Sequence, residues 1–213
     1  MAYGVPVRTG PDFSEEHVLA DGSAVTLRHV RPSDAEEVRR GFLALSPESR
    51  YRRFLRVTSL TDEALRYLTE VDGWDHVALV AVGYAPDLKT EQGYGLARFV
   101  RVEGEPEVAE AAITVIDPMQ RKGLGRVLAL ALSEAARERG IHRFRGEVLA
   151  SNAPMRSLLE GLGATVRSES GESIVFDAPL DDPEHTREPA ILRWLREAAD
   201  RFAGRFRSLR PPA

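Results

Sequence analysis

Cysteine is absent from all 213 residues. That excludes a disulfide scaffold, a thiolate zinc site and a cysteine nucleophile, and a chain that needs no staples fits a reducing cytoplasm. Lysine is scarce: two residues, leaving 27 of the 29 basic residues as arginine. With so much Ala, Leu, Val and Gly, this skew records a GC-rich genome and is given no chemical meaning. Long apolar runs are missing too. No stretch approaches the ~18 residues of a membrane span, and no basic-then-apolar leader opens the chain, so no membrane association is expected. Charge of one sign is also lacking. A net charge of −4 argues against nucleic acid as the main partner, and 43% hydrophobic with 29% charged residues describes a soluble globular protein. The length suits one domain of the ~150-residue kind with an appendage, enough to bury a core without metal. The five histidines (17, 29, 76, 142, 185) show no metal-ligand spacing, so no metal is expected. There is no internal repeat and no low-complexity segment.

What is present reads in order. Residues 1–22 hold Gly4, Pro6, Gly10 and Pro11 without a sustained period, a loose extension with at most one edge strand. Alternation from Ala24 marks a strand, and Arg31-Pro32-Ser33-Asp34 opens a helix in which Ser33 and Glu36 have capping-box spacing. Helices follow from Ser46-Pro47-Glu48 and from Thr61-Asp62-Glu63. The run HVALVAVGY at 76–84 is apolar throughout, as in a strand buried on both faces. Strands over 95–102 and 108–116, on short turns, make an antiparallel meander with it. A helix over 124–139 shows Leu128, Leu132, Ala135 and Ala136 on one face and stops at Gly140. A strand over 144–149, a helix over 152–162 and a hairpin about Gly171 complete the domain, 23–179.

Residues 180–213 form a linker and an amphipathic helix from Pro189, with Leu195, Phe202 and Phe206 on its apolar face. Its other face is basic. Seven arginines against three acids from Arg187 onward place +4 on a body of −8. Apolar stripes are usually core, so this helix is expected to dock on its own domain or in a homodimer rather than on a membrane.

The stretch ITVIDPMQRKGLGR, 113–126, carries the most chemistry. A buried strand ends, turns at Asp117-Pro118 and enters a helix through Gly123 and Gly125. Free backbone N–H groups at a helix start, with the positive end of its dipole, attract an anion. Glycines at 123 and 125 let a phosphate approach the backbone, and Arg121, Lys122 and Arg126 add charge. A Walker loop and a GxSxG elbow are absent, and Leu128 occupies the third glycine position of a dinucleotide fingerprint.

These motifs together resemble the GCN5-related N-acetyltransferase (GNAT) superfamily. Thr26-Leu27-Arg28 with Arg31-Pro32-Ser33-Asp34 is similar to its first strand and helix start. Gln120-Arg121-Lys122-Gly123-Leu124-Gly125 matches its [QR]xxGx[GA] signature. Glu147-Val148-Leu149-Ala150-Ser151-Asn152, with Met155, Leu158, Leu162 and Gly163, resembles its last strand and helix. The segments LSPESRYRRF at 45–54 and DHVALVA at 75–81 look closest to bacterial protein-lysine acetyltransferase domains. The resemblance implies an α/β (α+β) fold, a strongly bent mixed sheet of six to seven strands flanked by helices, with the C-terminal helix as an extra. It implies acetyl-CoA as co-substrate, held where the central strands splay. By position, the backbone of Thr114, Val115 and Ile116 would pair with the pantetheine arm. Arg121, Lys122, Gly123, Leu124, Gly125 and Arg126 would cradle the pyrophosphate, and Asn152, also readable as a helix N-cap, would hold the pantetheine. The tyrosine that many members use to protonate the departing thiolate is Leu159 here. The loop Asp117-Pro118-Met119 is one residue shorter than is common.

The implied reaction is direct acetyl transfer to a primary amine, of a protein lysine or of a small molecule, and the lack of a nucleophile constellation agrees. A catalytically inactive acyl-CoA-binding regulatory module is the alternative. Two carboxylates are candidate general bases. Glu147 shares its strand face with Arg143 and Arg145, which suggests a salt bridge. Glu110 lies in the apolar run VAEAAI, where desolvation would raise its pKa, and its position also resembles the glutamate that family members use. Glu110 is preferred.

Overall fold

The computed structural model describes residues 8–54, 59–84, 91–151 and 164–180. They form β1 (Ser14–Val18), β2 (Ala24–His29), a 3-10 turn (Pro32–Asp34), α1 (Ala35–Ala44), α2 (Pro47–Phe54), α3 (Asp62–Thr69), β3 (His76–Tyr84) and β4 (Glu91–Val102). β5 (Glu105–Val115), a second 3-10 turn (Asp117–Met119), α4 (Leu124–Glu138), β6 (Arg143–Leu149), β7 (Thr165–Ser170) and β8 (Ser173–Pro179) follow. The helix expected over 152–162, with Asn152 and Leu159, and the one expected from Pro189 lie outside the described residues.

The strands make one mixed sheet in the order β1-β2-β3-β4-β5-β6-β8-β7. β3, β4 and β5 form the expected antiparallel meander. β6 joins β5 in parallel because α4 crosses over between them. The sheet has eight strands rather than six or seven, since the stretch read as a loose extension supplies β1, antiparallel to β2. That stretch is fastened. Thr9 is 1% exposed, its hydroxyl donates to Glu138, and its hydroxyl and carbonyl oxygens accept from the Arg139 guanidinium at 3.0 Å. Leu19 enters the core.

β3 is buried along its length except at Tyr84, because both sheet faces are covered. On one face Leu124, Leu128, Leu132, Ala135 and Ala136 of α4 pack on Val77, Leu79, Ala97, Phe99 and Ala109. On the other, Val30, Ala78, Val80 and Val82 pack with Val71 and Leu96. The helix start after β2 differs from the capping-box reading. α1 begins at Ala35 with Asp34 as its N-cap, and the Asp34 carboxylate accepts from the Arg31 N–H at 2.7 Å and from Arg28 at 2.8 Å. β4 also starts four residues before Gly95. Its glycines serve close approach rather than a turn: a Cβ on Gly95 would stand 2.8 Å from a Leu128 methyl and 3.0 Å from the Thr114 carbonyl oxygen. Among the described residues no helix is long and apolar enough to cross a membrane.

Candidate functional site

The parallel ladder between β5 and β6 is short. Only Val108, Ala109 and Glu110 pair, with Arg143, Phe144 and Arg145. Beyond them β5 stays paired to β4 as far as Val115, and β6 stays paired to β8 as far as Leu149. The two central strands therefore part after Glu110, and the β5 edge over 111–115 faces a gap where a sheet would normally continue. A ligand arm with amide groups can add to such an edge as a strand does.

The β5 edge leads into the phosphate loop. Ile116 donates its N–H to Tyr94 at 3.1 Å, and Met119 donates back to Ile116 at 2.9 Å, closing the Asp117–Met119 turn. The backbone then goes left-handed twice, at Arg121 with φ 61° and at Gly123 with φ 94°. Gly123 is the N-cap of α4, so the amides of Leu124 and Gly125 open its first turn without intrahelical acceptors. A left-handed non-glycine residue costs about 1–2 kcal/mol, and such strain gathers where backbone donors must be aimed. Gly125 is not required by packing, since a Cβ there would meet only a Val115 methyl at 3.9 Å. Among the described residues nothing else stands within 4 Å of where side chains at Gly123 and Gly125 would begin. Arg121 and Arg126 are exposed, and neither pairs with a carboxylate among the described residues.

Lys122 sits differently. Its ammonium is 2.9 Å from Asp21 in the β1–β2 turn, and its carbonyl accepts from Ala20 at 3.2 Å. Donation by Lys122, and next by the Ser23 N–H, pulls the Asp21 carboxyl down to about 2. Gln120 folds back over the loop, donating to the Val115 carbonyl at 3.1 Å and to the Ser49 hydroxyl at 3.3 Å.

Asp117 ties this loop to α2. Its carboxylate accepts from the Ser46 N–H at 2.9 Å, the Ser46 hydroxyl at 3.0 Å and the Ser49 hydroxyl at 2.7 Å. The Ser46 N–H is the largest cause holding this carboxyl below the usual range, ahead of a smaller opposing desolvation. A depressed folded-state pKa stabilises above the unfolded value of about 3.9 and is lost as pH falls through the lower folded value. Asp117→Ala should therefore lower the melting temperature at pH 7, and the deficit against wild type should narrow by pH 3. Thermal melts at both pH values check this; an equal deficit at both contradicts it.

The two candidate bases are both at the fork. Glu110 is the last β5 residue paired to β6, opposite Val100 on β4 and Arg145 on β6. It lies on the sheet face away from α4, since Ala109 and Ala111 face that helix. It is exposed, so the desolvation expected from its apolar neighbours is absent: Val108 and Ala109 are buried, but alternation turns Glu110 outward. Position, not burial, supports it. Glu147 is also exposed, two residues beyond the last β6 residue paired to β5. The salt bridge expected for it does not form. Arg145 pairs with Glu105 at 2.7 Å and Asp177 at 3.0 Å, and Arg143 with Asp177 at 3.7 Å. Glu147 instead accepts from the Ser173 hydroxyl.

Two features escaped the sequence reading. The Tyr51 hydroxyl on α2 donates to Glu172 in the β7–β8 turn at 2.8 Å, and that carboxylate pushes the phenol's pKa up. Arg98 on β4 has its Nε and Nη1 buried without acceptors among the described residues. Neither follows a local pattern, because each depends on which distant strand or turn arrives beside it. On the α1 and α3 side, Val38, Phe42, Leu68, Val80, Leu96 and Thr114 line an apolar cavity of about 80 Å³. Among the described residues no group of three His, Asp or Glu side chains could hold a metal.

Comparison with known proteins adds to this geometry. The family model described as an acetyltransferase (GNAT) domain matches residues 24–165. The acetyltransferase Pat of Mycolicibacterium smegmatis is 37% identical over 178 residues, covering 81% of this chain and 51% of Pat. Acetyltransferase PA5475 of Pseudomonas aeruginosa is 30% identical over 156 residues, 73% of this chain and 82% of that protein. The crystal structure of the GNAT domain of S. lividans PAT superposes with a TM-score of 0.68 at 28% identity, covering 78% of this chain and 96% of that one. The chain thus spans about half the length of the mycobacterial Pat.

Proposed function

This chain belongs to the GNAT acetyltransferase family, and from that premise we propose that it transfers acetyl from acetyl-CoA directly to a primary amine, with protein lysine as the acceptor class. The observation that carries the reading is the fork: a three-residue β5–β6 ladder that opens at Glu110, with β5 leading on to the N-terminus of α4. The curated relatives named acetyltransferases support it.

The residues fit the co-substrate. Gly125 leaves room that packing does not need, and the Leu124 and Gly125 amides with Arg121 and Arg126 supply donors and charge for a pyrophosphate. Lys122 pairs with Asp21, so its contribution is to hold the loop against the β1–β2 turn. The edge of β5 at Thr114 and Val115 would pair with the pantetheine, the Ile116 N–H and carbonyl being already engaged by Tyr94 and Met119, and Asn152, outside the described residues, would complete that arm. When bound, acetyl-CoA supplies an activated thioester whose thiolate, with a pKa of about 8.5, leaves readily. Glu110 takes the proton of the incoming ammonium, directly or through a water, on the face opposite α4. Glu147 is the second carboxylate in reach of that face of the fork. Direct attack needs no covalent intermediate on the protein, in keeping with a chain that has no cysteine.

Thiol release from acetyl-CoA, measured with a panel of lysine peptides, polyamines and aminoglycosides, tests the proposal. Release that depends on an amine, with the acetyl group found on that amine by mass spectrometry, is expected. Tight acetyl-CoA binding without release for any amine would replace it with a non-catalytic acyl-CoA-binding module. Turnover of small amines alone would move the acceptor class from protein lysine to a small molecule.

A further inference from the structure

β5 and β6 part after Glu110, but their far ends are joined again from outside the sheet. β5 runs out at Val115 and passes into the Asp117–Met119 turn. β6 runs out at Leu149, and the next residue, Ala150, donates its N–H to the Glu172 carbonyl in the β7–β8 turn at 2.7 Å. α2 reaches both ends. Near its start Ser46 and Ser49 donate to the Asp117 carboxylate, and Gln120 donates to the Ser49 hydroxyl. Two residues after Ser49, the Tyr51 hydroxyl donates to the Glu172 carboxylate at 2.8 Å. The helix therefore lies across the open end of the fork. The widths agree. A gap that admits one extra strand spans two strand spacings, about 9.6 Å, and a helix with its side chains is about 10–12 Å across.

The two attachments are unequal. The start of α2 is held by the several bonds to Asp117. Arg50 adds to them, donating to the carbonyls of Leu45 at 3.0 Å and Leu43 at 2.9 Å and lying 5.1 Å over the Phe42 ring. At the other attachment a tyrosine that is 40% exposed meets a glutamate that is exposed as well. A hydrogen bond open to water opens more readily than a connected network, because water takes the place of either partner. α2 thus has a firm end on the phosphate loop and a releasable end on the β7–β8 turn.

An acetyl-CoA arm with its phosphates at the start of α4, lying along β5 from 115 to 111, enters by this end of the fork and has to pass α2. We propose that α2 gates the co-substrate cleft, with Asp117 as its anchor and the Tyr51–Glu172 bond as its latch. The latch is made of the protein's own groups and uses no atom of the co-substrate. Releasing it therefore speeds entry and exit alike and leaves the affinity almost unchanged. This rests on the placement of acetyl-CoA in the fork and goes beyond it, since a cleft that binds the co-substrate need not control how fast it enters.

Stopped-flow binding of acetyl-CoA to the full chain, without any amine, gives kon and koff, and calorimetry gives Kd. Tyr51→Phe, which removes only the hydroxyl, should raise both rates by about threefold or more and keep Kd within about twofold. Glu172→Ala should do the same. The double variant should go no further, because both changes remove one bond. The chain has no cysteine, so Tyr51→Cys with Glu172→Cys supplies a single pair of thiols. Joining them with a short bis-maleimide should lower both rates by about tenfold or more against the unjoined pair. Unchanged rates in Tyr51→Phe or in the joined protein would overturn the proposal. So would a rise in koff alone with Kd raised to match and a lower melting temperature, the signature of a merely structural bond. Gated binding without thiol release for any amine would leave the latch standing and remove the catalytic reading instead.

Discussion

Glu110→Gln should lower kcat by 100-fold or more at pH 7, lose less at pH 9.5, and leave acetyl-CoA affinity intact. The size of the effect follows from the acceptor. A lysine amine with a pKa of about 10.4 is neutral in about one molecule in 2,500 at pH 7, a cost of about 4.6 kcal/mol before attack can begin. At pH 9.5 about one in nine is neutral, so a base has less to contribute. An α-amine near 7.8 would cost only about 1 kcal/mol at pH 7, and the variant would then be far less impaired. Glutamine keeps the shape of the side chain and cannot take the proton. Steady-state rates at the two pH values check this. If Glu110→Gln keeps full rate at both while Glu147→Gln does not, the base is Glu147.

Gly125→Val should weaken acetyl-CoA binding by at least tenfold, about 1.4 kcal/mol, without loss of fold. Valine is a better helix former than glycine, and the added Cβ makes only ordinary contact with Val115 at 3.9 Å. The branched side chain instead projects where the pyrophosphate would meet the first-turn amides. Calorimetry on a variant whose melting temperature matches wild type measures it. Unchanged affinity would move the phosphates away from the start of α4.

The elements with a strong local pattern were legible. The nine-residue apolar run of β3 and the leucine and alanine face of α4 appear in the sequence almost at their structural limits. The helix start with its two glycines was legible as an anion site for the same reason: the chemistry is local, in consecutive residues. Features made by distant partners were not. Gly93 looked like a loop residue because nothing local says that Glu37 of α1 will press on the strand there. Thr9 looked like part of a loose extension because its partners, Glu138 and Arg139, are about 130 residues away in the chain. Glu110 looked buried because its neighbours are apolar, but period-two alternation puts it on the open face. The short β5–β6 ladder leaves no mark in either strand, since parallel pairing is decided by the crossover between them.

Hydrogen exchange of the backbone amides, with and without saturating acetyl-CoA, tests the central placement most directly. The co-substrate should slow exchange in two stretches together, residues 111–116 along the open edge of β5 and residues 122–126 at the start of α4. Protection confined to other strands, or none in these two stretches despite saturation, would contradict acetyl-CoA binding in the fork.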